Sequence, residues 1–178
     1  MKNNAQVISL DSLTQVIAKN LELILYAFAF VFPLVLHGQQ LLVGPIINAL
    51  LFFAARKLSY KKLLPLVILP SLAAVTRGVV VGPLTMFLVY LLPFIWLSNL
   101  ILIFVVKKLK DKSLVLRVGL SSVLKAVFLF SVTWIMFQAN MLPKILLTAM
   151  GVLQLSTAVA GGVLEEFLSI KFKMTGEE

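Results

Sequence analysis

The chain has 178 residues, of which 61% are hydrophobic and only 13% are charged, and its formal net charge is +9. Water-soluble domains carry about 45–50% apolar and about 25% charged residues, so this composition indicates a polytopic membrane protein of one domain. The lack of cysteine excludes disulfides and thiolate sites, and a single histidine excludes a multi-histidine metal cluster. The positive charge is typical of cations at cytoplasmic helix ends and does not indicate nucleic acid as a partner.

Apolar stretches predict six membrane-spanning helices, since a span needs about 20 mostly apolar residues. The polar lead-in of residues 1–20 is interpreted either as a solvated cytoplasmic segment or as an interfacial helix that leads into the first span. The second and third spans are short, and the third contains Pro65 and Pro70. The predicted spans lie near residues 21–36, 41–55, 63–75, 79–106, 116–138 and 143–170.

The distribution of Lys and Arg predicts how these spans are oriented. With a cytoplasmic N-terminus, 13 of the 16 cations fall on the cytoplasmic side, while Arg77 and Lys144 fall outside and Lys125 lies within the fifth span. A re-entrant hairpin of the second and third spans is the alternative, but it would place four cations at a tip inside the membrane. We therefore predict an all-α, multi-pass protein of the cell membrane, with six helices in one bundle and both termini cytoplasmic.

Polar residues in or beside the apolar spans are the candidate functional residues, because such residues are costly in a membrane. A few convergent polar groups on an apolar lining are typical of small-molecule sites, and the guanidinium of Arg77 suits a carboxylate or phosphate. Each residue also has a structural interpretation: loop polar residues solvate turns, asparagines bridge helices and tryptophans anchor at interfaces. The predicted solute-binding residues are His37, Gln39, Gln40, Asn48, Arg77, Trp96, Asn99, Gln138 and Gln154.

One lysine lies deep inside a predicted span. Lys125 is costly there unless its charge is paired or reaches the membrane surface. Because the fifth span runs outward and the sixth returns, Glu165 or Glu166 of the sixth span is its candidate partner. The sequence leaves open whether these residues form a structural ion pair or a proton relay.

The sixth span also carries small residues at helical spacing. Thr157-x-x-x-Gly161 and Ala158-x-x-x-Gly162 are pairs that permit close approach of another helix. They serve either packing within the bundle or contact with a partner subunit, and the sequence does not distinguish the two.

Signatures of enzymes are absent from the sequence. It contains no Walker loop and no H-E-x-x-H motif. A Ser-His-Asp arrangement at His37 lacks an acid on the same side, since Asp11 and Asp111 are both predicted outside the membrane on the cytoplasmic side. We therefore predict no catalytic residues, no metal site and no cofactor.

Three segments resemble a known group of small membrane proteins. They are "GPIINALLFFAARKL", "LPSLAAVTRG" and "LPFIWLSNLILIFV". Together with six predicted spans, cytoplasmic ends and the lack of an ATPase motif, they make most of the chain similar to the S components of energy-coupling factor (ECF) transporters. An S component binds a vitamin, a precursor or a metal ion from outside and docks on a transmembrane coupling subunit driven by two cytoplasmic ATPases.

The resemblance implies roles for particular residues. Residues 37–40 would cover the bound molecule, and Arg77 with residues of spans four to six would contact it. The metal-binding branch uses an N-terminal histidine and is not matched. Many S components carry Ala-x-x-x-Ala in the first span for docking, where this chain has Ala27 and Ala29.

The sequence thus predicts a solute-binding membrane subunit that captures a small vitamin-like molecule from the outer side. Its predicted partners are the solute, membrane lipid, a coupling subunit and cytoplasmic ATPases. The alternative is a structural or assembly protein of the membrane, similar to cell-shape factors of like size and span count. In that alternative the outer polar residues only form turns.

Overall fold

The part of the chain that the structure describes consists of α-helices joined by short connections, as predicted. This computed structural model defines the backbone of residues 10–36, 40–81 and 85–175, and the side chains of residues 20–36, 41–76 and 86–171. Its helices are α1 (Leu10–Val35), α2 (Gln40–Lys57), α3 (Tyr60–Val81), α4 (Thr85–Lys108), α5 (Leu114–Gln138), α6 (Ile145–Met150) and α7 (Val152–Thr175).

Three segments of the described chain are long and apolar enough to cross a membrane. They are Met86–Lys108, Leu114–Gln138 and Ile145–Lys171, and the shorter helix Asn20–Val35 is also apolar. These segments make the chain a membrane protein. Large apolar side chains such as Val127, Ile135 and Phe167 are exposed on the outside of the bundle, as expected for surfaces that face lipid.

Several helix ends differ from the predicted spans. The helix of the first span begins at Leu10, so the second half of the lead-in continues into it. α3 extends to Val81 and takes residues that were assigned to the fourth span, which begins only at Thr85. The predicted sixth span is broken at Gly151, where Phe130 packs so closely that an added Cβ would lie 2.8 Å from its ring.

α2 and α7 run in the same direction through the bundle. Their contacts follow the same order along both helices, being Gly44 with Thr157, Asn48 with Gly161 and Arg56 with Glu165. α5 runs against α7, with contacts Arg117 to Glu166, Val118 to Gly162 and Phe130 to Gly151. α4 runs against α3, with contacts Asn99 to Val67 and Trp96 to Ser71. The antiparallel pairs α3–α4 and α5–α7 each join successive helices of the prediction, as expected when successive helices alternate in direction.

One end of the bundle, which we call the basic end, gathers the charged helix termini. There α2 and α4 end, α3 and α5 begin, and the C-terminal half of α7 arrives. Lys107 Nζ of α4 donates to the Leu58 carbonyl oxygen at 2.6 Å and so ties two of these termini together. α5 begins after Ser113, whose hydroxyl accepts the N–H of Leu116. α1 reaches the same end, because Lys62 donates to Glu22.

Candidate functional site

The site is built where α2 and α7 approach each other closely through small residues. A Cβ added at Gly44 would lie 2.6 Å from Thr157 Cγ2, and one added at Gly161 would lie 2.6 Å from the Pro45 carbonyl oxygen. At Gly161 only glycine leaves room for this contact, because the atoms opposite it belong to the backbone of α2 and cannot move aside. Of the two interpretations of the small-residue pairs in α7, packing within the bundle is therefore confirmed.

Close packing of α2 on α7 fixes the orientation of Asn48. Asn48 Nδ2 donates to the Gly44 carbonyl oxygen at 2.9 Å and lies 3.5 Å from Thr157 Oγ1. Its Oδ1 is thereby turned toward α5, where Lys125 Nζ donates to it at 2.6 Å. Asn48, Lys125 and Thr157, which we call the central polar cluster, are each exposed by 3% or less.

Lys125 has no acidic partner among the residues that the structure describes. The suggested pairing of Lys125 with Glu165 or Glu166 is wrong, because both carboxylates bond to arginines nearer the basic end. The neutral amide of Asn48 is instead the group that the amine contacts. An ammonium in this position would be a buried charge without a counter-ion, which is costly in an apolar bundle.

The two glutamates belong to a second group, the ion-pair cluster of Arg56, Arg117, Glu165 and Glu166. Arg56 Nη1 lies 3.2 Å from both oxygens of Glu165 and 3.0 Å from Glu166 Oε2. Arg117 Nη2 donates to Glu166 Oε2 at 2.6 Å, and its Nη1 donates to the Lys110 carbonyl oxygen at 3.3 Å. Two positive and two negative groups balance, so this cluster joins α2, α5 and α7 without a net charge.

The two clusters form parallel layers from the same three helices. Eight residues separate Asn48 from Arg56 in α2, Arg117 from Lys125 in α5, and Thr157 from Glu165 in α7. At 1.5 Å per residue, each interval is about 12 Å along the helix. Phe52 and Val118 fill the space between the layers and pack against Gly162. The central polar cluster is thus separated from the basic end by apolar side chains.

Two predicted site residues of α4 bond to α3 instead of joining the central polar cluster. Trp96 Nε1 donates to Ser71 Oγ at 2.7 Å, and Asn99 Nδ2 donates to the Val67 carbonyl oxygen at 3.3 Å. Both bonds bridge neighbouring helices, which is the structural role that intramembrane polar residues often have. Asn99 is buried and Trp96 is half-buried in this arrangement.

The remaining predicted site residues divide into those described and those not. Gln154 is half-buried one turn before Thr157, and its carbonyl oxygen accepts from the Thr157 hydroxyl at 3.3 Å. Gln138 is exposed at the end of α5, far from the central polar cluster. The predictions for His37 and Gln39, and for the side chains of Gln40 and Arg77, lie outside the described residues.

Lys125 and Thr157 are the members of the central polar cluster that the predicted site lacked. The sequence feature that could have indicated them is their spacing from charged residues. Lys125 lies eight residues after Arg117 in α5, and Thr157 lies eight residues before Glu165 in α7. Ser122, three residues before Lys125, adds a fully buried hydroxyl that has no hydrogen-bond partner among the described residues.

At the basic end, the bond that Lys62 donates to Glu22 raises the pKa of Lys62.

Over the described residues, these features define an all-helical membrane protein with a buried polar cluster between three helices, in which a lysine contacts an amide and no acid. Comparison of the chain with protein-family models, with curated proteins and with solved structures found no match. The function is therefore argued from the geometry of the two clusters and from the direction of the helices.

Proposed function

We propose that this chain is a multi-pass protein of the cell membrane that binds a small solute for uptake, in the manner of an ECF S component. The observation that carries the proposal is the central polar cluster, where the amine of Lys125 meets a neutral amide and no acid of the described part of the chain. Intramembrane ionisable residues that are not balanced by structure are typical of substrate pathways. A bound solute would supply the acidic group that the described residues do not.

The proposed topology has six spans with the basic end in the cytoplasm. Supporting it, α2, α4 and α7 run toward the basic end, and α3 and α5 run away from it. Apart from Lys125, the described cations gather at this end, whereas Lys144 lies beyond the far end of α5. Because the chain has no cysteine, single-cysteine variants can test this directly. Cysteine at Lys144 should react with an impermeant maleimide in intact cells, and cysteine at Lys61 only after the cells are opened; the reverse result contradicts the topology.

The proposed partners follow from the lack of a nucleotide-binding loop. A chain without a Walker motif needs other subunits for ATP-driven uptake, so we propose a transmembrane coupling subunit and cytoplasmic ATPases. Ala29 is fully buried against the bundle and Ala27 is exposed, so the first helix does not present both alanines to a partner. A docking face therefore lies elsewhere on the lipid-facing surface.

Native mass spectrometry of the purified protein tests solute binding. We expect a retained small molecule on the wild-type chain and its loss in Asn48→Leu, which removes the amide that holds Lys125. Asn99→Leu is the matched control, because it makes the same change in a buried asparagine that only bridges α3 and α4. A wild-type protein that repeatedly carries no solute overturns the proposal.

A structural or assembly role is the second candidate, and a specific observation favours it. Trp96 and Asn99 bond to α3, so two residues predicted to bind solute serve helix packing. In that case the purified chain should carry a protein partner in fixed stoichiometry and no solute. The Asn48→Leu variant would then keep the partner, because the lipid-facing surface is unchanged.

A further inference from the structure

The surroundings of Lys125 offer hydrogen-bond donors in excess of acceptors. A protonated lysine has three N–H donors, and Asn48 Oδ1 accepts one of them at 2.6 Å. The Thr157 hydroxyl is near a carbonyl acceptor of its own, Gln154 O, at 3.3 Å. Ser122 Oγ is fully buried without a partner in the described structure and lies on the same face of α5 as Lys125. Unused donors of this kind suit a group that only accepts hydrogen bonds.

Lys125 reaches its acceptor across a gap between helices. α5 packs on α4, α6 and α7, whereas the described backbones of α5 and α2 are not in contact. The long side chain of Lys125 spans this distance to reach Asn48. The amine and the amide are therefore joined by side chains alone, and a lysine side chain has rotamer freedom that the packed α2–α7 pair lacks.

The other charged groups near α5 do not neutralise Lys125. Arg56, Glu165 and Glu166 of α2 and α7 are committed, with Arg117, to the ion-pair cluster eight residues away. On α4, Tyr90 is exposed, Lys107 bonds to the Leu58 carbonyl oxygen, and Lys108 is exposed at the helix end. α6 carries no titratable side chain, and Lys144 precedes it. A charge on Lys125 must therefore be balanced by something that the described chain does not provide.

We infer that the solute is a small organic carboxylate that binds Lys125 and takes up one proton on binding. A neutral amine costs little in an apolar bundle, and so does an ammonium paired with a carboxylate, whereas either charge alone is costly. The carboxylate leaves water, the amine nitrogen gains one proton from solution, and the resulting ammonium and carboxylate neutralise each other. This inference deepens the proposed function and rests on it.

Acid–amide pairs test the inference on the full chain in detergent. The probes are benzoate, nicotinate and hexanoate, each compared with its own amide by the shift of the thermal unfolding midpoint at pH 6 and pH 8. We expect at least one acid to bind and its amide not to bind. Its affinity should be at least about tenfold higher at pH 6 than at pH 8, because a proton accompanies the bound anion. Lys125→Met should abolish the effect, and Lys125→Arg should remove the pH dependence since its charge is permanent.

Failure of this inference is distinguishable from failure of the proposed function. If the wild-type chain retains a solute in native mass spectrometry, but no acid shifts its midpoint or Lys125→Met binds acids equally well, the carboxylate inference is overturned and solute binding stands. Acid binding of equal affinity at pH 6 and pH 8 overturns the proton uptake. A wild-type chain that retains no solute and responds to no acid overturns both.

Discussion

The central polar cluster and the ion-pair cluster are made by the same three helices and differ chiefly in charge balance. Near the basic end, two arginines face two glutamates within 3.2 Å. About 12 Å deeper by helix rise, a single lysine faces an asparagine and a threonine. The charges of the first cluster balance within it, whereas the second has no acidic group among the described residues to balance a protonated lysine.

This difference separates polar residues that hold the bundle together from those available for function. A balanced buried cluster loses stability when one member is removed, because the partner becomes an unpaired charge. Removing the ionisable group of an unbalanced cluster should change stability little, since the lost hydrogen bond is offset by the relief of a burial cost. The two clusters should therefore respond differently to changes of the same size.

The largest effect should come from Glu166→Gln in the ion-pair cluster. Arg117 is almost fully buried, and Glu166 is the carboxylate that it contacts. We expect a loss of about 3 kcal/mol in the free energy of unfolding, at the low end for buried pairs because Glu166 is partly exposed. Tryptophan fluorescence during unfolding in detergent measures it. Glu22→Gln is the control, since its pair with Lys62 is exposed and should contribute far less; equal losses would contradict the account.

Gly161→Ala should have the next largest effect, because Gly161 packs directly against the backbone of α2. The added Cβ would meet Asn48 Cβ and the Pro45 carbonyl oxygen at 2.6 Å and the Ala49 nitrogen at 2.8 Å. Pushing α2 from α7 should cost about 2 kcal/mol of unfolding free energy. Gly119→Ala is the matched control, because a Cβ there meets nothing within 4 Å. We expect that control to be neutral or slightly stabilising, and a similar loss in both variants would argue against the close contact.

Lys125→Met should change stability by less than about 1 kcal/mol, although Lys125 is more deeply buried than Glu166. Removing the amine relieves the cost of burying it, and this gain offsets the lost bond to Asn48. The same unfolding measurement checks the prediction. A loss as large as that of Glu166→Gln would show that Lys125 is a structural member of the bundle.

Trp96→Phe should have the smallest effect and gives a reference for an uncharged bridge. It removes the bond from Trp96 Nε1 to Ser71 while keeping an aromatic ring. We expect a loss of about 0.6 kcal/mol, which is the average for hydrogen bonds between membrane helices. Because this change removes a tryptophan, circular dichroism during thermal unfolding is the suitable measurement. A loss above that of Gly161→Ala would mean that the α3–α4 bond carries more than helix bridging.

The helical character of the fold follows from the sequence, because long apolar stretches mark the helices, even where prolines lie inside them. The break at Gly151 was missed, since it depends on Phe130 packing against it from another helix. Asn48 was predicted to bind solute or to bridge helices, and its side chain does join α2 to α5 and α7. Its partner Lys125 was not predicted, because a sequence does not state which helices are neighbours, and oppositely charged residues at similar depth made Glu165 the obvious choice.

We propose that Lys125 is held for a solute and not for stability. The most direct test compares the occupancy of retained solute by native mass spectrometry in the wild type and Lys125→Met, purified side by side, with their unfolding midpoints measured on the same samples. The account predicts solute on the wild type, none on Lys125→Met, and similar midpoints. Equal occupancy in both, or a collapse of the midpoint in Lys125→Met, would contradict it.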